Sequence, residues 1–359
     1  MSALISISAQ RSASSDTLAA HQIHALPVVV IFPHNQCNCR CVMCDIWRIR
    51  QAKEISPADL ENHLDSFRKL GVRWVVLSGG EPQLNQKWSY LAQMLRSAGC
   101  RVTLLTAGLL LESQAQSVVD SVDDVIVSLD GPPDVHNSIR RVENAFEQLA
   151  QGVSALRTLS PDLPVGARCT IQKANHRSLR AVVRSAKQIG LTSISFLAAD
   201  LTSSAFNRPE GWLPDRADRV ALTPAEIDAL GAEVERLITE YHADIGSGFV
   251  VESAEKLRRI VQHFRAHLHQ AESVAPRCNA PWVSTVIEAS GDVRPCFFHP
   301  VLGNIHAQPL DEIVNGREAL EFRATLDIAN NAICRRCVCS LYIPTRSEGI
   351  AHDQRPPIA

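Results

Sequence analysis

The chain has no apolar run approaching the roughly 20 residues that a bilayer span requires, which excludes a helical membrane span. It has no dense Lys/Arg block, and its formal net charge is -2. Nucleic-acid binders usually show a basic patch or stripe, so no nucleic-acid partner and no membrane partner are expected, although a local basic pocket is still allowed. Met1 to Ala25 mixes Ser, Ala, Gln and His and lacks a cationic region followed by an apolar run. It therefore does not read as a secretory signal. The expectation is a loosely docked tail on a cytoplasmic protein. No sequence repeat is present. Apolar residues at 45% and charged residues at 21% match ordinary globular usage. At about 150 residues per domain, 359 residues suggest two domains.

Against this plain background stand eleven cysteines, and they are clustered. Cys37, Cys39, Cys41 and Cys44 share one short stretch, Cys334, Cys337 and Cys339 another, and Cys278 and Cys296 lie upstream of the second group. Only Cys100 and Cys169 stand alone, as buried structural thiols would. Disulfide frameworks belong to short secreted chains. Tight clusters in a long chain without a signal favour metal sites.

Six mostly apolar runs read as strands buried on both faces of a parallel sheet: Val28–Phe32, Arg73–Ser78, Arg101–Thr106, Asp124–Leu129, Val165–Ile171 and Ser193–Ala198. Helical patterns fill the gaps. Ser56 with Pro57 and Asp59 reads as a capped helix start, with Leu60, Leu64 and Phe67 on one face. Further faces follow from Trp88, Phe146 and Leu179. The alternation argues for a right-handed parallel α/β layer or barrel. After a loop over 202–219, Thr223-Pro224-Ala225-Glu226 opens a helix, and a second runs from about Ser253 to His269. Its Arg258, Arg259, His263, Arg265, His267 and His269 read first as a solvated basic face. Val283–Glu288 and Val293–Phe298 around Gly291-Asp292 read as a hairpin, with a helix near Leu310–Gly316.

Cys37, Cys41 and Cys44 follow the first strand in a CxxxCxxC spacing, at the end where parallel α/β folds place active sites. Three thiolates would leave one iron of a cubane cluster open to a further ligand. Zinc is the competing reading, but structural zinc wants four closed ligands. Glycine at Gly79-Gly80 would permit close backbone approach, and Glu81 could accept from an ammonium group.

Cys37 through Trp47 resembles the opening motif of the radical S-adenosylmethionine superfamily. Gly79-Gly80-Glu81-Pro82 is similar to its GGEP, and Ser128-Leu129-Asp130-Gly131-Pro132 to its SLDGP, in matching order. The resemblance implies a partial (β/α)6 TIM-like barrel. It also implies a [4Fe-4S] cluster held by Cys37, Cys41 and Cys44 together with S-adenosylmethionine. The cofactor would lie near Met43, Gly79, Gly80, Glu81, Pro82, Thr106, Ser128 and Arg168. Ser128 is then expected at the ribose, Arg168 at the carboxylate, and Met43 and Trp47 beside the adenine. Asp130 is expected to shape its own turn. The family commonly has an aliphatic residue where this chain has Cys39, which is expected to be a buried apolar substitute rather than a ligand.

Cys278, the Gly291-to-Cys296 element, Cys334 and Cys337 resemble the shortened SPASM extension called a twitch domain. The pattern is most similar to the dehydrogenase of 2-deoxystreptamine-type antibiotic biosynthesis. One auxiliary [4Fe-4S] cluster on those four cysteines is implied, with zinc as the alternative and Cys339 as a substitute ligand. The expected organisation is a tail (1–26), the barrel (27–205), a helical connector (206–275), an α+β auxiliary-cluster domain (276–345) and a C-terminal tail (346–359). The resemblance implies a 5′-deoxyadenosyl radical that takes hydrogen from a small-molecule or peptide substrate. It also implies an electron donor such as flavodoxin or ferredoxin, and an auxiliary cluster that assists net oxidation. No residue is singled out as a catalytic acid or base, and no motif decodes the substrate.

Overall fold

The computed structural model describes residues 18–209 and 211–344; the outer part of the expected N-terminal tail, 1–17, and the whole expected C-terminal tail, 346–359, lie outside the described residues. Six strands run in sequence order: β1 (Val28–His34), β2 (Trp74–Gly79), β3 (Arg101–Thr106), β4 (Asp124–Ser128), β5 (Val165–Ile171) and β6 (Ser193–Ala198). Each pairs with the next in parallel, as in Val29↔Val75 and Ser128↔Arg168. The sheet does not close. It forms a partial (β/α)6 barrel with an α+β C-terminal part.

Alternation along the strands divides the core. Val29, Ile31, Val75, Leu77, Val102 and Leu104 bury under the helices. Val28, Val30, Trp74 and Val76 point to the other face and form a separate apolar cluster with Val286. That second cluster floors the barrel lumen. Above it, half-buried Ser128 and Arg168 stand on the lumen side of β4 and β5.

The hairpin expected after residue 283 forms from β7 (Ser284–Ile287) and β8 (Asp292–Arg294), antiparallel, with β9 (Gly303–Asn304) beside β8. Residues 295–298 leave the sheet. β7 also pairs in parallel with β1, Val28↔Ser284 to Ile31↔Ile287. One nine-stranded sheet thus runs from the barrel edge into the C-terminal part. Residues 21–26 are docked rather than loose: Asn315 bonds both the N–H and the carbonyl of Ile23 at 2.9 Å, and Leu26 is fully buried.

The helix expected through Leu60, Leu64 and Phe67 is two pieces, Pro57–Glu61 and Leu64–Lys69. The break falls at buried His63. Its Nε2 meets the Ile305 carbonyl at 2.9 Å and its Nδ1 accepts from the Leu310 N–H. Tertiary bonding to the C-terminal part competes with helix continuity there. The Ser56 and Thr223 capping boxes form as the sequence suggests. The short helices Ala115–Ser121 and Pro133–Arg140 carry too few apolar residues to announce themselves.

Asn85 joins the elements behind the strand ends. Its buried amide donates to the Pro33 carbonyl at 2.9 Å and the Ile55 carbonyl at 3.0 Å, and its oxygen accepts from the Lys87 N–H at 2.7 Å. Asn85→Ala strands these buried groups and is expected to cost about 2–3 kcal/mol, read as a lowered denaturation midpoint under anaerobic conditions.

Candidate active site

Cys37, Cys41 and Cys44 occupy the loop that leaves β1. The loop is held by its neighbours' backbones. The Glu81 N–H donates to the Gln36 carbonyl at 2.8 Å and the Gly80 N–H to the His34 carbonyl at 3.3 Å. The Arg40 and Val42 N–H groups donate to the Arg140 and Ile139 carbonyls, each at 3.0 Å. A Cβ on Gly80 would fall 2.0 Å from the Gln36 carbonyl oxygen, so only glycine lets the two segments approach. The close approach served by this glycine is therefore to the cysteine loop itself.

Each of the three sulfurs meets a donor. The Cys39 N–H faces Cys37 Sγ at 3.5 Å, the Ile46 N–H faces Cys44 Sγ at 3.5 Å, and Arg140 donates to Cys41 Sγ at 3.5 Å. Such donors stabilise thiolates. The thiol of Cys41 is lowered to about 6, chiefly by a hydrogen bond from Cys39, with Arg140 assisting against burial. Cys39 is pushed strongly upward by its bonds to Cys37 and then Cys41. It is buried and packs with Cys41 and Ala107. Burial raises Cys44 to about 12. Three sulfurs from one short loop, each with a donor, fit a cluster that keeps one iron open.

Arg140 carries a second contact. Its guanidinium lies 2.6 Å from Asp130 Oδ2, and both side chains are almost wholly buried. Asp130 Oδ1 accepts from the Thr170 N–H at 3.0 Å, and its carbonyl accepts from the Asn175 amide at 3.0 Å. Asp130 thus joins β4, β5 and the cysteine loop rather than shaping its own turn. Asp45, next to Cys44, is buried and bonds Arg216, Arg48 and the Trp212 indole. Arg208, almost fully buried, pairs with Asp200 and lies over the Trp212 ring at 4.4 Å. The segments carrying Asp200, Arg208, Trp212 and Arg216 are thereby fastened over the loop. Sequence reasoning missed Arg140, Asp45 and Arg208. Their signal lies in distant pairings, apart from Asp45, whose place after Cys44 could have flagged it.

The other expected residues divide. Gly79 and Gly80 stand beside the loop, Met43 packs against Cys39 and Cys41, and Ser128 and Arg168 face the lumen. Pro82 is buried in a short turn. Thr106 and Glu81 are turned inward: the Thr106 hydroxyl donates to Glu81 Oε1 at 2.9 Å, and Glu81 Oε2 accepts from the Ala107 N–H at 2.8 Å. Burial raises Glu81 to about 6 against those bonds. The Trp47 indole donates to the Cys44 carbonyl at 2.9 Å.

Far along the chain, Cys278, Cys296, Cys334, Cys337 and Cys339 line one cavity of about 80 Å³ with His299. The Ala280 N–H faces Cys278 Sγ at 3.5 Å, and His299 Nε2 lies 3.3 Å from Cys334 Sγ. Burial raises Cys296, Cys334 and Cys339 to about 11 each. Four thiols suit a closed second cluster, with Cys339 at its border toward Arg168.

A three-cysteine loop at the strand ends of a partial barrel, with a second set of cysteines around a separate cavity, suits an iron–sulfur protein of the barrel type. The chain belongs to the radical SAM superfamily, in the branch with a SPASM/twitch iron–sulfur domain: the superfamily model matches residues 31–190 and an iron–sulfur cluster-binding domain model matches 278–338. Its cofactors are [4Fe-4S] clusters and S-adenosylmethionine. AdoMet-dependent heme synthase of Methanosarcina barkeri is 25% identical over 79% of this chain and 80% of its own length. Fe-coproporphyrin III synthase of the same organism is 24% identical over 90% of this chain and 84% of its length. The fold is shared with Streptococcus suis SuiB bound to precursor peptide SuiA, at TM-score 0.62 and 15% identity, over 90% of this chain and 74% of that one.

Two outcomes follow. Arg140→Ala leaves Asp130 charged and buried without its partner and is expected to cost about 3–5 kcal/mol; pairing it with Asp130→Asn should recover part of the loss in the same denaturation assay. Gly80→Ala is expected to displace the cysteine loop, read as less iron retained after anaerobic reconstitution.

Proposed function

We propose that the chain abstracts hydrogen from a small-molecule substrate held in the barrel lumen, with net oxidation assisted by the auxiliary site. The observation that carries this reading is the donor-matched trio Cys37, Cys41 and Cys44 beside Gly79-Gly80 at the open strand ends. When bound, the cluster supplies one electron to S-adenosylmethionine, which yields methionine and a 5′-deoxyadenosyl radical.

The protein's own residues position and shield. Gly79 and Gly80 hold the loop and offer backbone to the cofactor. Ser128 and Arg168 face the lumen as hydrogen-bond donors for its ribose and carboxylate. Met43 contributes an apolar wall. Cys39, with Arg140 assisting, favours the thiolate form of Cys41, and the segments carrying Arg208, Trp212 and Arg216 exclude water from the loop. The auxiliary cysteines border Arg168 and the lumen, which supports electron removal from the substrate side. A reduced flavodoxin or ferredoxin would supply the electron for cofactor cleavage, and the electron left by the substrate radical at the auxiliary site would return to an oxidised carrier of the same class, which closes the balance. The names of the two archaeal relatives, heme synthase and Fe-coproporphyrin III synthase, support a small molecule over a peptide.

The test is anaerobic reduction of the reconstituted chain with S-adenosylmethionine. Formation of 5′-deoxyadenosine is expected, with loss in Cys37→Ala; none from the wild type would sink the reading. Iron near eight per chain is expected from two cubane clusters, falling to about four in Cys296→Ala. That variant should still form 5′-deoxyadenosine while oxidised product stops.

A further inference from the structure

A cavity of about 1060 Å³ lies away from the cysteine loop. It opens at the free edge of the barrel, between β6, the Ala254–His267 helix and the segment carrying Cys337. Small-molecule sites commonly span about 300–1,000 Å³, so this one admits a ligand larger than most. Its inner end reaches Leu197, which faces away from the buried Phe196 and so lies on the lumen side of β6.

The lining is predominantly basic. Six Lys and Arg residues and three histidines border it, against two glutamates. Some of the cations are neutralised locally: Arg258 bonds Glu235 at 2.7 Å, Arg335 bonds Glu272 at 2.9 Å and Lys256 bonds Glu252 at 3.5 Å. Arg259 and Arg336 have no carboxylate within ion-pair distance among the described residues. Arg259, His263 and His267 follow one another at four-residue spacing, so one helix face presents them together. Arg336 enters the lining from a different segment, between the auxiliary cysteines, close enough to His267 to act on it electrostatically. Burial first, and neighbouring cations after it, hold His267 low, and His263 is lowered to about 4 by burial. With those two rings neutral, the positive field of the cavity comes from the guanidinium groups of Arg259 and Arg336, although the whole chain is slightly acidic. This is the local basic pocket that a net charge of -2 left room for.

We propose that this cavity binds a small, multiply charged oxyanion, carrying two or more carboxylate or phosphate groups, between Arg259 and Arg336. Guanidinium groups match both oxyanions in bidentate geometry. Two such groups from separate segments of the lining would fix the ligand's long axis and present its inner end past Leu197 to the lumen. The assignment names the substrate class for the radical reading above and rests on it.

Binding to the reconstituted wild type is measured with coproporphyrin III, its tetramethyl ester, GTP, a polyglutamate peptide and an oligonucleotide. Saturable binding of coproporphyrin III or GTP is expected, weakened by raised salt and about tenfold or more in Arg259→Gln. The ester should not bind. Coproporphyrin III alone marks a carboxylate site, GTP alone a phosphate site, and both mark their shared chemistry. Arg336→Gln is the second arm, read beside iron content because of its cysteine neighbours. Failure of both small polyanions, binding only of the peptide or oligonucleotide, or wild-type affinity in Arg259→Gln with unchanged iron and circular dichroism would overturn the proposal. The wild type's 5′-deoxyadenosine formation separates the two claims. Cleavage without ligand binding defeats only the cavity assignment, whereas ligand binding without cleavage defeats the radical reading.

Discussion

The guanidinium of Arg140 is the point through which the site is organised. It is buried, lies 2.6 Å from the Asp130 carboxylate and donates to Cys41 Sγ at 3.5 Å. A buried cation is costly unless paired and bonded, and here the pairing is divided between a strand end and a metal-binding sulfur. Asp130 in turn bonds the β5 backbone at Thr170. The backbone carbonyls of Ile139 and Arg140 take the N–H groups of Val42 and Arg40. Two strands, one helix end and the cysteine loop therefore move as a unit. A cluster that must keep one iron open benefits from ligands that are already in place.

The second organising feature is the sheet. β7 extends the barrel by pairing with β1, and β1 is the strand from which the cysteine loop departs. The auxiliary cysteine cavity includes Val28, Val30 and Val286 in its lining, so it rests on the same strands as the lumen floor. Electron transfer between two metal sites and a substrate depends on fixed separations. A continuous hydrogen-bonded sheet fixes them better than a linker would. The His63 bonds to Ile305 and Leu310 and the Asn315 bonds to Ile23 add further ties between the barrel and the C-terminal part.

Much of the barrel was legible. Three of the six strands, Arg101–Thr106, Val165–Ile171 and Ser193–Ala198, have the ends their apolar runs suggest, and the other three differ by one or two residues. Double-sided burial makes such runs continuous, and that signal is local. The capping boxes at Ser56 and Thr223 are local too. The broken helix at His63 was not legible, because its cause sits more than 240 residues away. The basic helix is the instructive case. Arg265 pairs with Asp228 away from the cavity, as a solvated face would, and Arg258 at the cavity border is neutralised by Glu235. Arg259, His263 and His267 turn to the cavity instead, and helical spacing alone cannot say what faces them.

The sequence by itself determined the cysteine spacing, the strand ends that carry Gly79-Gly80 and Ser128, and hence the class of chemistry. These are short-range patterns, because ligands to one iron–sulfur cluster and turns at strand ends need only a few neighbouring residues. The tertiary structure alone decided that Arg140 faces Cys41, that Glu81 and Thr106 turn inward to each other, that β7 joins β1, and that a positive cavity opens beside β6. Each of those depends on which distant side chain removes water from a charge or a backbone group, and that is settled only when the chain is packed.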